Sequence, residues 1–422
     1  MAKNGMLERS AALVDGTSAN TLKLSVSAAA TEFEELGSGV GVIESFSNVV
    51  SFETADGHVI FDVSHALSAP SVIEQFRRHS SAPIHTAVYT HGHTDHVGGA
   101  AAFDADAESR GHHRITYVGH EAIPARFDRY KATNGYNGHI NMRQFRLPSP
   151  MFPSDFVYPD VTYRDTTTLD VGGREFELHH ARGETDDHTW AWVPDAKAIV
   201  VGDFFIWQFP NAGNPQKVQR YALHWAMALR RMAALSPELM LPAHGPAIGG
   251  RERVAMVLND TASALEHLHD STLSLMNAGA RLDEIIHTVK LPDDLADKPY
   301  LRATYDEPEF VVRNIWRLYG GWYDGNPANL KPARETELAR EMAALAGGAE
   351  VLARRGQELA AAGDLRLACH LVEMAALADP ESPSVHAIRA DVYEQRRRSE
   401  TSLMATGIFR AASHDSRTVR DA

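Results

Sequence analysis

Thr90-His91-Gly92-His93-Thr94-Asp95-His96-Val97-Gly98-Gly99 places three histidines and one aspartate within six positions, directly after the β-branched run 84–90. Imidazole and carboxylate are good ligands for Zn²⁺ and similar ions. A loop that leaves a strand end splays such side chains into one hollow. Positions 91 and 93 alternate, so they can face one ion, while 95 and 96 face a neighbouring one. A surface loop with chance histidines would need neither Asp95 nor the paired glycines that follow.

The elements around this motif must hold it still. Up to about residue 250 short β-branched runs alternate with turns. Residues 49–54 and 58–63 flank Asp56-Gly57 and read as a hairpin. Strands are also expected at 84–90, 175–180, 189–193, 198–201 and 239–242, with helices at 71–79 and 221–235 between them. Strands recurring between helices imply an α/β layered domain. After residue 250 strand signals almost vanish, and helices are expected at 251–277, 309–318, 333–345, 349–362, 365–378, 383–397 and 401–412. Gly363-Asp364 and Asp379-Pro380 separate neighbours in the manner of tetratricopeptide-type helical hairpins.

The histidine run matches the H-x-H-x-D-H motif of the metallo-β-lactamase superfamily, which this chain resembles. The resemblance implies three further ligand positions, in order. Gly202-Asp203 fits the bridging aspartate, and Pro242-Ala243-His244-Gly245-Pro246 fits the last histidine. The remaining position departs from the usual Gly-His-Thr. The chain reads Ala181-Arg182-Gly183-Glu184-Thr185-Asp186-Asp187-His188, with Glu184 where the histidine should stand. A glutamate ligand makes that site harder and adds negative charge. The alternative is that His188 or His180 is the ligand and Glu184 backs it.

Alkylsulfatases of this superfamily carry glutamate at that place, followed by an all-helical dimerisation domain. The segment Ile315-Trp316-Arg317-Leu318-Tyr319-Gly320-Gly321-Trp322-Tyr323-Asp324-Gly325-Asn326-Pro327-Ala328-Asn329-Leu330 resembles that domain's signature, and so do 377–380 and 390–395. The implied fold is α/β, a metallo-β-lactamase αββα sandwich over 38–250. An all-α, tetratricopeptide-like dimerisation domain follows over 251–422, and 1–37 stands in front as an N-terminal extension. Alkylsulfatases that are secreted carry an export signal and end in a sterol-carrier-like domain. The chain shows neither, so the expected substrate is smaller, or not a detergent at all.

The ligand set implied by the resemblance is His91, His93 and Glu184 at one metal, and Asp95, His96 and His244 at the other, with Asp203 bridging. It implies two divalent cations per chain, zinc first among them. Such a pair lowers the pKa of water enough to make a nucleophile near neutral pH. Asp95 and Asp203 are therefore also the catalytic candidates. Arg220 and His224 lie four apart on the expected helix, share a face, and fall where the family's sulfate-binding Arg and His lie. The other reading of that pair is an ordinary solvated helix face. Tyr136, Asn141 and Arg143 belong to a polar, glycine-punctuated segment, 134–145, which the resemblance makes a substrate-contacting loop. Its plain reading is a surface loop packed by Tyr136 and Phe145. Arginine suits bidentate binding of tetrahedral oxyanions.

The expected reaction is hydrolysis of a sulfate ester to alcohol and sulfate. The rival readings are hydrolysis of a phosphoester, lactone or thioester, and a non-catalytic helical scaffold. The chain has 422 residues, 44% hydrophobic and 23% charged, which excludes wholesale disorder. Its 41 basic and 55 acidic residues give a net charge of −14, which disfavours nucleic acid as the main partner. One cysteine, Cys369, excludes a disulfide framework and a thiolate zinc module, and it fits a reducing compartment. No run approaches the ~20 apolar residues of a membrane span, and residues 1–20 have no signal-like apolar core. The partners expected are a small anionic ester, no nucleic acid, no membrane, and a second copy of the chain bound through the helical domain. The expected location is cytoplasmic.

Overall fold

Alternation along the strands decides which side chains meet between two sheets and which meet helices outside. The structure, a computed structural model, describes residues 5–19, 30–145 and 147–422. The first sheet runs in sequence order through β1 (Glu34–Gly37), β2 (Val40–Ile43), β3 (Val49–Thr54), β4 (Gly57–Phe61), β5 (Ile84–Val88), β6 (Thr116–His120) and β7 (Val161–Tyr163). The second is built from β8 (Thr166–Val171), β9 (Arg174–His180), β10 (Thr189–Val193), β11 (Ala198–Gly202), β12 (Leu239–Pro242) and β13 (Ile248–Gly249), ordered from β13 back to β8.

Val50, Phe52, Val59 and Phe61 of the first sheet meet Phe176, Leu178, Val200 and Leu241 of the second in the central core. The intervening positions point outward. Val49, Ile60 and Ala87 pack on the helices Ala69–His79 and Ala100–Ser109. Ile199 and Val201 pack on Ala222–Ala234 and Arg251–Asn277. The result is an αββα sandwich followed by helices.

The change in sequence character at 250 is not a break in packing. The helix Arg251–Asn277 shares one core with β11, β12 and Ala222–Ala234, and Val311, Val312 and Ile315 join that same core. The segment before residue 38 is not a loose extension either. The helix Met6–Val14 buries Met6, Leu13 and Val14, Asp15 pairs with Arg253 at 2.7 Å, and 34–37 is an edge strand. Residues 1–4 and 20–29 of that segment lie outside the described residues.

Beyond 330 the helices Glu335–Ala346, Ala349–Ala361, Leu365–Ala378, Pro383–Ser399 and Leu403–Asp421 stack as hairpins. Asp364 and Ser382 cap their helices by accepting from the backbone N–H groups of Leu367 and Val385. Gly356 lets two of the helices approach closely, since a Cβ there would stand 2.6 Å from Val372 Cγ1. No helix among the described residues is long and apolar enough to cross a membrane.

Candidate active site

Parallel pairing collects the chemistry at one edge. β5 lies parallel to β4 and β6, and β11 parallel to β12, so the carboxyl ends of these strands open together. The segments 62–64, 90–96, 203 and 244 leave from those ends. The β9–β10 connection delivers 181–188 to the same edge, because β10 runs antiparallel to β11. Within the histidine run the backbone changes form part-way. His91 lies in the connection after β5 and His93 is extended, while Asp95 and His96 sit on the single helical turn Thr94–Val97. That change sends the two pairs in different directions.

His91 Nε2 lies 3.8 Å from Glu184 Oε2, and His93 Nδ1 lies 3.7 Å from the same oxygen. His244 Nε2 and His96 Nε2 each stand 3.5 Å from Asp95 Oδ2. Asp203 divides its oxygens between the groups. Its Oδ2 is 3.7 Å from His91, and its Oδ1 is 3.4 Å from His96 and 3.3 Å from His244. The seven side chains form two groups of potential ligands, His91–His93–Glu184–Asp203 and Asp95–His96–His244. Ligands ~2.0–2.1 Å from a tetrahedral ion stand about 3.3 Å from one another, close to these separations. His96 Nε2, Glu184 Oε2 and Asp203 Oδ1 are buried without any hydrogen-bond partner. Buried polar atoms are rarely left so, and a cation at each group would satisfy all three. The residues present therefore fit divalent metal ions.

Supporting bonds aim each ring. His96 Nδ1 bonds Asp62 Oδ2 at 2.7 Å, and Asp62 Oδ1 accepts from the Thr90 N–H at 2.7 Å. His91 Nδ1 meets Thr90 Oγ1 at 3.1 Å, and His244 Nδ1 meets the Phe46 carbonyl. With Nδ1 engaged, Nε2 of His91, His96 and His244 faces the centre. Asp62 holds φ at 58°, unusual for a non-glycine residue, and Gly202 holds 52° where a Cβ would strike His188 Cε1 at 2.6 Å. Burial alone would lower the His96 imidazole, but Asp203, Asp95 and Asp62 together push it well above its ordinary value. Burial would raise Asp203, yet His96 and His244 hold it well below. Burial dominates at Glu184 and pushes it well up, against the pull of Arg220.

His188 stands in neither group of potential ligands. Its Nε2 accepts the Asp203 backbone N–H at 3.1 Å, and its ring stacks on His91 at 4.5 Å. His180 Nδ1 faces the His188 carbonyl at 3.0 Å. Behind the histidine run lies a buried ion pair. Arg126 Nε donates to Asp187 Oδ2 at 2.6 Å, Asp187 also accepts the Gly92 N–H at 3.1 Å, and Arg126 Nη2 reaches Asp186.

The groups open into a cavity of about 510 Å³. Asn211, Asn214, Lys217, Arg220 and Tyr305 supply its polar wall, and Phe46, Tyr130, Phe145, Met151, Phe152 and Ile206 its apolar wall. Of the expected substrate residues, Arg220 and Asn141 line it. Arg220 precedes the helix, which starts at Ala222. It is buried against Glu184 Oε1 at 2.6 Å and the Asn211 carbonyl at 2.8 Å. His224 is exposed beside Tyr221 and does not line the cavity, because helical rotation from 222 turns it outward. Residues 134–145 form a helix, Asn134–Phe145, rather than a loop. On it Tyr136 is 63% exposed, and Arg143 is half-buried and not among the lining residues.

Sequence reasoning passed over Asp62, Arg126, Asn211, Asn214, Lys217 and Tyr305. Asp62 had a signal, being an acid inside the apolar run 59–63. Arg126 and Tyr305 had none, since each reaches the site only through tertiary packing.

The family model described as the metallo-beta-lactamase superfamily matches residues 42–244, and the one described as alkyl sulfatase dimerisation matches 281–418. Residues 42–244 thus match the metallo-β-lactamase superfamily and residues 281–418 the alkylsulfatase dimerisation family. It is 29% identical over 337 residues to a linear primary-alkylsulfatase of Pseudomonas sp. (strain ATCC 19151), covering 75% of this chain and 62% of that protein. It is 26% identical over 377 residues to an (R)-specific secondary-alkylsulfatase of Pseudomonas sp., covering 83% and 57%. The chain thus spans about three-fifths of the length of these relatives. The solved structure of a stereoselective inverting sec-alkylsulfatase from Pseudomonas sp. superposes with a TM-score of 0.82 at 22% identity, over 92% of this chain and 65% of the other. That likeness establishes the fold.

Proposed function

We propose that this chain hydrolyses sulfate esters to alcohol and sulfate, using two divalent cations, zinc first among the candidates. His91, His93 and Glu184 would hold one, Asp95, His96 and His244 the other, and Asp203 both. Bound there, the cations supply Lewis acidity and a water acidic enough to act near neutral pH. Asp95 and Asp203 are the catalytic candidates, since both line the cavity as carboxylates held low by neighbouring histidines. As charged carboxylates they would hold the cations and orient the attacking water by accepting its hydrogen bonds. Arg220 and Asn141 face the substrate. His224, Tyr136 and Arg143 have no such position in the geometry.

The observation that carries this reading is the joining of both ligand groups, a cationic rim and an apolar wall in one cavity. That combination suits an ester with an anionic head and a hydrocarbon body. Sulfate release from short, long and aryl sulfate esters, with phosphate esters and lactones alongside, tests it. Turnover of another class with none of any sulfate would end the assignment.

A homodimer through 281–418 belongs to the same proposal, supported by the exposed Tyr319, Trp322, Leu338 and Leu345 on that part of the surface. Analytical ultracentrifugation showing a monomer at micromolar concentration would overturn it.

A further inference from the structure

His65 enters the cavity on a backbone bent sharply to bring it there. Asp62 and Ser64, just after β4, hold φ at 58° and 60°, where side chains other than glycine are costly. Asp62 serves His96, but Ser64 serves no ligand; its Oγ donates to the Ser47 carbonyl at 2.8 Å. The bend is strapped to the histidine run. The Val63 N–H donates to the His96 carbonyl at 2.8 Å, and the Gly99 N–H donates to the Ser64 carbonyl at 3.0 Å. Gly99 admits this approach, since a Cβ there would stand 1.9 Å from the Val63 carbonyl oxygen. Residues 62–65 are therefore fixed against the segment that carries His91, His93, Asp95 and His96.

The His65 ring lines the cavity together with Asp95, Asp203 and His244. Phe46 meets both imidazoles edge-on, with its ring centroid 6.4 Å from that of His65 and 5.6 Å from that of His244. His65 Nδ1 accepts the Leu67 N–H at 3.2 Å. An accepting ring nitrogen carries no proton, so the neutral ring holds its proton on Nε2. Burial lowers the imidazole more than the Asp95 charge raises it, which keeps the ring neutral at neutral pH. Nε2 makes no hydrogen bond among the described residues. The cavity thus holds an N–H donor that neither supports a ligand nor is used by the protein itself.

Ester hydrolysis has a place for such a donor. The oxygen of water forms the new bond, and the C–O or S–O bond that breaks leaves its electron pair on the bridging oxygen. Negative charge therefore grows on that oxygen whichever bond is cut. A water proton then goes to the alkoxide if sulfur is attacked, or to solvent if carbon is. We infer that His65 is a further catalytic residue, whose Nε2–H donates to the bridging oxygen of the bound ester and stabilises the charge that develops there. The proton stays on the ring, because a neutral imidazole polarises an oxygen rather than protonating it. The contact is with the oxygen between head and body, not with the charged head.

The inference rests on the hydrolase reading, and its test separates the two. The plainer role for this ring is to close the turn at 65–68 through Nδ1. Asparagine places an acceptor near Nδ1 and keeps that turn, while glutamine places an N–H near Nε2 and gives the turn up. Metal-loaded, full-length wild type, His65→Asn and His65→Gln are compared on sulfate and phosphate esters, with metal content measured for each. His65→Asn should lose about ten- to hundredfold in kcat with KM nearly unchanged, since the bond counts only in the transition state. His65→Gln should recover to within about fivefold of wild type, all at equal metal content. Full activity in His65→Asn, a His65→Gln protein no more active than His65→Asn, or loss of metal in His65→Asn overturns the inference. Nitrogen NMR of the imidazoles, with His65 assigned by its disappearance in His65→Asn, should place its proton on Nε2; a proton on Nδ1 overturns the inference without any turnover. Turnover of phosphate esters alone, with the same order of variants, supports the inference and defeats the sulfate reading. Sulfate turnover with the order reversed does the opposite, and turnover of no ester defeats both.

Discussion

Asp187→Ala removes a carboxylate outside both ligand groups, yet it should be among the most damaging single changes in the chain. Asp187 Oδ2 accepts from Arg126 Nε at 2.6 Å and from the Gly92 N–H at 3.1 Å, in the middle of the histidine run. Both members of the pair are buried. Without Asp187 the one carboxylate left to the guanidinium among the described residues is Asp186, which is half-exposed. Breaking a buried pair from one side costs about 3–5 kcal/mol, and leaving the Gly92 N–H unbonded adds about 1–3 kcal/mol.

Titration gives a separate bound. Burial pushes Asp187 up, but Arg126 outweighs it and holds the carboxyl at about 2 against an ordinary 3.8. That difference corresponds to roughly 2 kcal/mol of preference for the charged form in the folded state. Since the folded value is depressed, this stability is present above about pH 4 and fades as pH falls toward 2. A loss of about 4 kcal/mol or more would consume a large part of the ~5–15 kcal/mol of a typical fold.

The assay is urea denaturation followed by tryptophan fluorescence, with metal content measured in parallel. Arg126→Met/Asp187→Leu should recover much of the loss, because apolar replacement of a whole buried pair is often neutral. The coupling should exceed about 2 kcal/mol. An Asp187→Ala protein within about 1 kcal/mol of wild type, or additive single changes, would refute the reasoning.

Glu184→Ala should lose about one equivalent of metal by mass spectrometry while Asp95, His96 and His244 retain theirs; a fully metallated, active variant would remove Glu184 from the ligand set. His224→Ala and Tyr136→Ala should leave kcat/KM within about twofold, since surface changes away from a site rarely matter; a tenfold loss in either would mean that the cavity closes differently around substrate. Asp306→Ala deletes the acceptor for two N–H groups of the 211–220 segment, those of Gly213 and Asn214, so amide exchange there should speed up and kcat/KM should fall about tenfold at unchanged metal content. Slow exchange in that variant would show that the segment is held by other bonds.

The candidate ligands were legible because their signals are local. The histidine run, Asp203 and His244 each follow a short apolar strand that is visible in the chain. Glu184 was readable as the odd residue at a known place, and in the structure it, rather than His188 or His180, stands with His91, His93 and Asp203 in a group of potential ligands. The helices after 250 were legible through their periodicity and through caps such as Asp364. The helix Asn134–Phe145 was not, because its glycines and asparagines have weak helical preference. It is stabilised by Leu403–Asp421, where Gly407 comes so near that a Cβ would stand 2.9 Å from the Arg143 carbonyl.

Arg220 was expected on a helix face with His224, but it sits before the helix with its N–H bonded to Asn314, 94 positions away. Amino-acid order alone therefore determined which residues can bind metal and which strands present them. Folding decided what surrounds the metal groups: the buried Arg126–Asp187 pair, the donors of 211–220 and the wall at Tyr305. Contacts between segments so distant in the chain follow no short-range period, and only the folded packing of those segments creates them.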